Sequence, residues 1–413
     1  MWAQKVLVCK TLDHTANYEY LPLEGESGIR KDDEDYVHLV VVGMTRMGTA
    51  LATQAALMAH YPNFVTKGKR TKITLIDENA DKEKNFYIDR YDRLFALSNW
   101  SYKEMVRSES GADKLETVFT HTPVEHDYLV GDFLDVKWEF IQGTVAQLEL
   151  QMYIEECAIK SRKMTIAICK DEPSRCLAAA LNLEWRIYEN VLQVLVYNRY
   201  DDALVEQLHF KNKPKFKLSD GDELMEKESK QNTRRNIISP FGNKLKAFGM
   251  ASECYCEEIL RDSERLVGEF ENVYSGGKRR EPQKLTDYWS NVYASNTMWT
   301  KFRCVELKSG AISSEDIGIL AKVEHNRWVI EKLIMSYRHL SKEEHERAKQ
   351  CSLKHEVYKR NMAHRDICSN KILRDMVGEN GTNDERFIRK LVEIKQEFDR
   401  YKNDGSRDNS TAC

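Results

Sequence analysis

The 413-residue sequence predicts a doubly wound α/β unit with a parallel sheet, followed by an all-α C-terminal unit. Three observations carry this expectation. Strand-like apolar runs alternate with helix-like segments over residues 37–198, as when helices cover both faces of a parallel sheet. The first of these runs passes directly into a glycine-marked turn and a helix. Beyond residue 283 the chain is helical in pattern and contains no proline.

After an N-terminal segment, 1–36, the first strand is Val37-His38-Leu39-Val40-Val41-Val42, and a helix follows from about Arg46 to His60. Lys72 to Ile76 is the second strand, closed by Asp77. Trp138 to Ile141 is the third; Gly143 ends it, and a helix runs from Val145 into Cys157. Met164 to Cys169 is the fourth, with Asp171 and Ser174 as candidate caps for the next helix. Val191 to Tyr197 is the fifth. Residues 80–135 are too long for a simple crossover and should add helices around Tyr87–Ser98.

The α/β unit is expected to span 37–250, with a polar, flexible loop at 211–236. A helical connector over 251–312 holds a helix from Ala251 to about Val273 and a Gly/Pro-marked linker at Ser275–Pro282. Residues 313–402 should form the helical unit and 403–413 a disordered tail.

Composition removes several classes of partner. Lys and Arg number 63 against 66 Asp and Glu, a net charge of −3, so no global field favours nucleic acid or an acidic membrane. The basic run Lys278-Arg279-Arg280 is short and reads as solvated linker. Ten cysteines form no CxxC pair, and Cys254 and Cys256 point apart on a helix, so scattered thiols suggest a reducing, cytoplasmic setting. No apolar stretch approaches the roughly 18–20 residues of a membrane span, and Met1–Lys10 lacks a signal-peptide core.

The most informative motif is Gly43-Met44-Thr45-Arg46-Met47-Gly48, between the first strand and its helix. Backbone N–H groups at such a helix start attract an anion. Gly43 suits the turn and Gly48 lets the helix approach the sheet, but Thr45 stands where a dinucleotide fingerprint has its middle glycine. Asp77, ending the second strand, is placed to accept hydrogen bonds from a ribose. The plainer alternatives are glycines used for close packing without ligand, and Asp77 as a helix cap in Asp77-Glu78-Asn79. On these residues the segment 37–200 resembles the TrkA-N domain of potassium-transport regulatory proteins, which carries an Arg where Arg46 stands. The resemblance implies a Rossmann-type sheet binding NAD(H) or another adenine nucleotide as a signal, without chemistry on it.

The second motif lies on a helix opened by Ser313 and Asp316, a variant capping box. Glu324, Arg327 and Glu331 fall on a helix side otherwise made of Ile317, Leu320, Ala321, Trp328 and Met335. Charges in that company need partners: a polar ligand, or one another in an internal ion-pair ladder. Glu324-His325-Asn326-Arg327-Trp328, then Glu331-Lys332-Leu333 and Tyr337-Arg338, resembles the bacterial form of the ryanodine-receptor (RyR) repeat. Ser336-Tyr337 replaces that family's Gly-Trp pair, and His364–Cys368 stands where its His-Pro segment belongs. Asp384-Glu385-Arg386 matches a later element, so the likeness covers 313–397; the stretch Trp289, Ser295-Asn296, Lys301 is similar to the link between such domains. It implies ligand sensing, with Glu324, Arg327, Trp328 and Glu331 lining a pocket.

No HExxH, GxSxG or GxxxxGK[ST] occurs, and the one Tyr-x-x-x-Lys match, Tyr274–Lys278, spans the Gly-Gly linker. Cys351, His355, His364 and Cys368 fit no standard metal spacing. No catalytic or metal residue is therefore assigned. The expectation is a nucleotide-sensing regulatory protein with an RyR-like module, its oligomeric state open. A pyridine-nucleotide-dependent oxidoreductase with its substrate site in 80–135, and a scaffold without nucleotide, are the alternatives.

Overall fold

The computed structural model describes Leu7 and residues 20–107, 113–123, 132–199, 244–250, 264–272, 285–308, 310–377 and 382–408. The long strands are β1 (Tyr36–Val42), β2 (Thr71–Asp77), β3 (Asn99–Arg107), β4 (Asp113–His121), β5 (Val136–Gln142), β6 (Arg162–Ile168), β7 (Gln193–Tyr197) and β8 (Leu245–Phe248). They form one eight-stranded sheet in the order β4-β3-β5-β2-β1-β6-β7-β8. Every pair is parallel except β3–β4. Leaving out the β3–β4 hairpin, the order is third, second, first, fourth, fifth, sixth: the Rossmann arrangement, whose direction of winding reverses between β1 and β6. Val42 is level with Ile76 of β2 and Ile168 of β6, so the three strands end together at this switch point.

β1 sends apolar side chains to both faces, Val37, Leu39 and Val41 to one and Val40 and Val42 to the other, because helices cover both. One face is covered by α1 (Arg46–Met58), α2 (Pro62–Lys67), α3 (Ala80–Arg90) and α4 (Asp92–Ala96), whose Leu51, Ala55 and Phe95 share a core with Leu39, Val41 and Phe140. The other is covered by α5 (Leu148–Ser161), α6 (Pro173–Leu181) and α7 (Trp185–Asn190) over Val40, Val42 and Ile166.

The fold corrects the sequence reading in three places. The insertion at 80–135 holds the expected helices but also the β3–β4 hairpin, which lengthens the sheet beyond β5. β8 adds a strand of four residues, too short to show a period in sequence. The last helix runs to Asp408, past the expected boundary at 402. The loop at 211–236, the linker Ser275–Pro282 and residues 409–413 lie outside the described residues, and the helix expected over 251–273 is described only at 264–272.

The helical part comprises α8 (Leu285–Asn296), α9 (Met298–Arg303), α10 (Ser314–Ile334), α11 (Lys342–Gln350), α12 (Ser352–Arg360), α13 (Asn370–Val377) and α14 (Asn383–Asp408). Short strands β9 (Arg338–His339) and β10 (Ala363–His364) pair between them. Ser313 caps α10 as its sequence predicts, its hydroxyl accepting from the Asp316 N–H at 3.1 Å.

This part packs directly on the sheet unit. α10 lies against α1, α2 and α4, and its Val329, Ile330 and Leu333 belong to the same core as Leu51 and Phe95. Arg303 of α9 reaches Glu24 at 2.8 Å, and Glu24 also accepts from the Tyr61 hydroxyl at 3.1 Å. All three side chains are buried. Among the described residues, no helix is long and apolar enough to cross a membrane.

Candidate functional site

At the switch point β1 runs into Gly43, whose φ of +103° is a left-handed value that favours glycine. A Cβ on Gly43 would stand 2.6 Å from the Cys169 carbonyl oxygen at the exit of β6. A Cβ on Gly48 would come within 2.0 Å of the Gly43 carbonyl oxygen. Both glycines are therefore required by close backbone approach.

Thr45 is the N-cap of α1, in extended conformation at φ −69° and ψ 175°. Its hydroxyl donates to the Cys169 carbonyl at 2.6 Å and accepts from the Gly48 N–H at 3.3 Å. The middle position of the loop thus ties the β1 and β6 exits together. Met44 tucks its side chain into the core and donates its N–H to Asp77 Oδ2 at 2.8 Å, while Asp77 Oδ1 accepts from the Asn79 N–H at 2.8 Å. Each carboxylate oxygen retains a further lone pair for a ligand. Asp77 is at once the turn cap and the acidic group at the strand end; the two readings of it are compatible.

Arg46 is exposed and Met47 packs partly against the core. Among the described residues, no acceptor meets the backbone N–H of either. These two N–H groups point from the first turn of α1, where the peptide dipoles favour an anion. Lys170, two residues past the end of β6, pairs with Glu78, directly after β2, at 3.0 Å. The pair crosses the mouth of the crevice; sequence pattern alone gave no signal for it. Burial pushes the Cys169 thiol far up and Cys176 to about 11, so neither is a nucleophile at neutral pH.

The second group of residues lies on α10. Glu324, Arg327 and Glu331 are brought together as one ladder, each at most 1% exposed. Arg327 donates through Nε to Glu324 at 2.8 Å and through its terminal nitrogen to Glu331 at 2.7 Å. Lys301 of α9 closes one end on Glu324 at 2.8 Å, and Lys332 and Ser290 close the other on Glu331 at 2.8 and 3.1 Å. Burial opposes the charge on Glu324, but Arg327 and Lys301 outweigh it and hold the carboxyl below its ordinary value. Trp328 stands apart from the ladder, its ring 5.0 Å from that of His364 and under the Lys332 ammonium at 5.6 Å. Lys301 and Ser290 lie on other helices, so the helical wheel of α10 could not include them.

Among the described residues, no three or more His, Cys, Asp or Glu side chains come together as a metal-ligand group. No family model, curated protein or solved structure matches this chain.

Proposed function

We propose that this chain is a nucleotide-sensing regulatory protein. In this reading the Rossmann-like sheet binds NAD(H) or another adenine nucleotide, and the RyR-like helical part responds to it. The observation that carries the reading is the double position of α1. Its N-terminus offers the Arg46 and Met47 N–H groups beside Asp77 at the switch point. Its flank is gripped by α10, through a core common to Leu51, Ala55, Val329 and Ile330. An anion drawn to one end of α1 therefore acts on the helix that the C-terminal part holds. Such coupling between sites is typically worth about 1–3 kcal/mol.

A ligand-free scaffold is favoured by one specific observation: Thr45 and Asp77 already have partners within the loop. Native mass spectrometry of gently purified full chain, followed by melting with a panel of nucleotides, separates the two readings. A sensor retains a nucleotide or gains about 2.7 kcal/mol at about 100 times its Kd. No retained species and no shift at millimolar concentration would leave the scaffold. A reduced nicotinamide cofactor, if bound, should not be consumed with alcohols, aldehydes or hydroxy acids; steady turnover would instead make the chain an oxidoreductase.

A further inference from the structure

We infer that a second copy of this chain docks on the outer face of α5 and α7, with the two α5 helices antiparallel across a two-fold axis. The inference does not depend on the nucleotide reading. α10 packs on the α1, α2 and α4 layer, whereas α5 packs against β1, β4, β6 and α7, on the opposite face of the sheet. The outward side of α5 carries Leu148, Met152 and Ile159, and the neighbouring corner carries Leu181 and Trp185, all 46–61% exposed. At about 100° per residue the three α5 side chains fall within about 40° of one another, next to Gln151. Gln151 donates to the Asn182 carbonyl at 3.0 Å and accepts from the Glu184 N–H at 2.7 Å, so the stripe borders the α6–α7 corner. The five side chains thus form one patch, on the order of 400 Å², a size that is often functional.

The order of side chains along the stripe identifies the occupant. Leu148, Met152, Glu155 and Ile159 are spaced 4, 3 and 4 residues apart, the seam of a helix pair, and that spacing reads the same from either end. An antiparallel copy therefore sets Leu148 against Ile159 and Met152 against Glu155. A parallel copy would set the two Glu155 carboxylates against each other. Beside the seam, the antiparallel pairing brings Glu149 of each copy toward Lys160 of the other. Lys160 meets Glu156 at 2.6 Å in an exposed pair, which leaves its ammonium with N–H groups for a second carboxylate. A contact between identical copies buries about 800 Å² on each side, roughly 65% of it apolar, and the patch supplies most of that apolar share. Trp185, with the Arg186 guanidinium 5.7 Å from its ring centre, brings the two residue types that most often anchor such contacts.

Sedimentation velocity on the full chain tests this. Wild type should sediment as a dimer at micromolar concentration. Met152→Asp and Ile159→Asp change exposed positions, so each should keep the circular dichroism of wild type and sediment as a monomer. Trp185→Ala, which only removes apolar area, stands in if an aspartate variant does not fold, and should weaken the dimer. Lys160→Glu should weaken it about tenfold by facing Glu149 of the second copy, and adding Glu149→Lys should restore it. That rescue requires the two positions to meet across the axis, which a partner other than a copy would not provide. A wild type that stays monomeric at high micromolar concentration overturns the inference and assigns the patch to a different partner. A dimer that survives Met152→Asp with Ile159→Asp, or a double charge reversal no tighter than Lys160→Glu alone, overturns it as well.

Discussion

Arg327 and Glu331 meet at 2.7 Å one turn apart on α10, with side-chain exposures of 1% and 0%. Such a pair gains little over apolar packing, but removing one partner leaves a charge in a medium that cannot solvate it. Arg327→Met is expected to cost on the order of 3 kcal/mol in a denaturant melt, since it removes the cation that Glu324 and Glu331 share and leaves each with one ammonium, Lys301 or Lys332. Making Glu324, Arg327 and Glu331 apolar should not restore stability, because Lys301, at 2% side-chain exposure, then loses Glu324. Including Lys301→Met and Lys332→Met, so that neither buried ammonium is left without its carboxylate, should. Near-wild-type stability of Arg327→Met would show the ladder to be solvated, and so open to a ligand.

A second buried carboxylate governs acid stability. Glu139 of β5 pairs with Lys72 at 2.9 Å and Lys103 at 3.1 Å, and accepts from the Tyr153 hydroxyl at 2.7 Å. Burial disfavours its charge, but the two ammonium groups outweigh this and lower its pKa from 4.5 to about 2. A depressed folded-state pKa means stability that is complete above 4.5 and lost as pH falls from there through about 2. The linked contribution is on the order of 3 kcal/mol. Glu139→Gln should be less stable than wild type at neutral pH and lose less between pH 4.5 and 2. Parallel acid melting curves for the two proteins would refute this assignment.

The Rossmann-like half was legible because its signals are local. An apolar run into Gly43, a helix and an acidic strand end are all readable within 41 residues of one another, from Val37 to Asp77. The β3–β4 hairpin has a local signal too: Trp100, Tyr102, Val118 and Phe119 lie in two runs separated by a Gly-containing stretch. That signal is weaker than the helical pattern just before it, and only the helices were expected in the insertion. What no local pattern holds is the pairing of distant residues. Lys170 meets Glu78 across 92 positions, and Arg303 meets Glu24 across 279. The glycine loop could be found in sequence; that Thr45 bolts it to Cys169 could not.

Glycines separate packing from propensity. Gly48→Ala places a Cβ 2.0 Å from a backbone oxygen, and backbone cannot swing aside as a side chain can. It should cost roughly 1–3 kcal/mol despite alanine's better helix propensity. A methyl group on Gly268, in helical residues 264–272, would meet nothing within 4 Å, so Gly268→Ala should gain roughly 0.4–1 kcal/mol. Opposite signs in thermal melts of the two variants are expected; a stabilised Gly48→Ala would mean that the loop yields more readily than its close contacts imply. Loss of nucleotide binding in a Gly48 variant would also be confounded by this damage.

His325, beside Glu324 on α10, anchors that helix to the end of the chain. Its Nε2 meets the Cys368 carbonyl at 2.8 Å and its Nδ1 stands 3.5 Å from the Asp384 carboxylate on α14. Burial opposes charging the imidazole, but the Asp384 and Cys368 interactions outweigh it and raise its pKa from 6.5 to about 10. A raised folded-state pKa makes the contribution complete below 6.5 and lost as pH rises through about 10. His325→Gln keeps a donor for the Cys368 carbonyl but has no charge to give Asp384. It should therefore be clearly less stable than wild type near pH 6, and the gap between the two melting temperatures should close toward pH 10. The uncharged variant also leaves the Asp384 carboxylate without its cation, so adding Asp384→Asn to His325→Gln should raise stability by a similar amount at pH 6 and at pH 10. A melting gap that stays constant from pH 6 to 10 would show that His325 is neutral in the fold and serves α10 by packing alone.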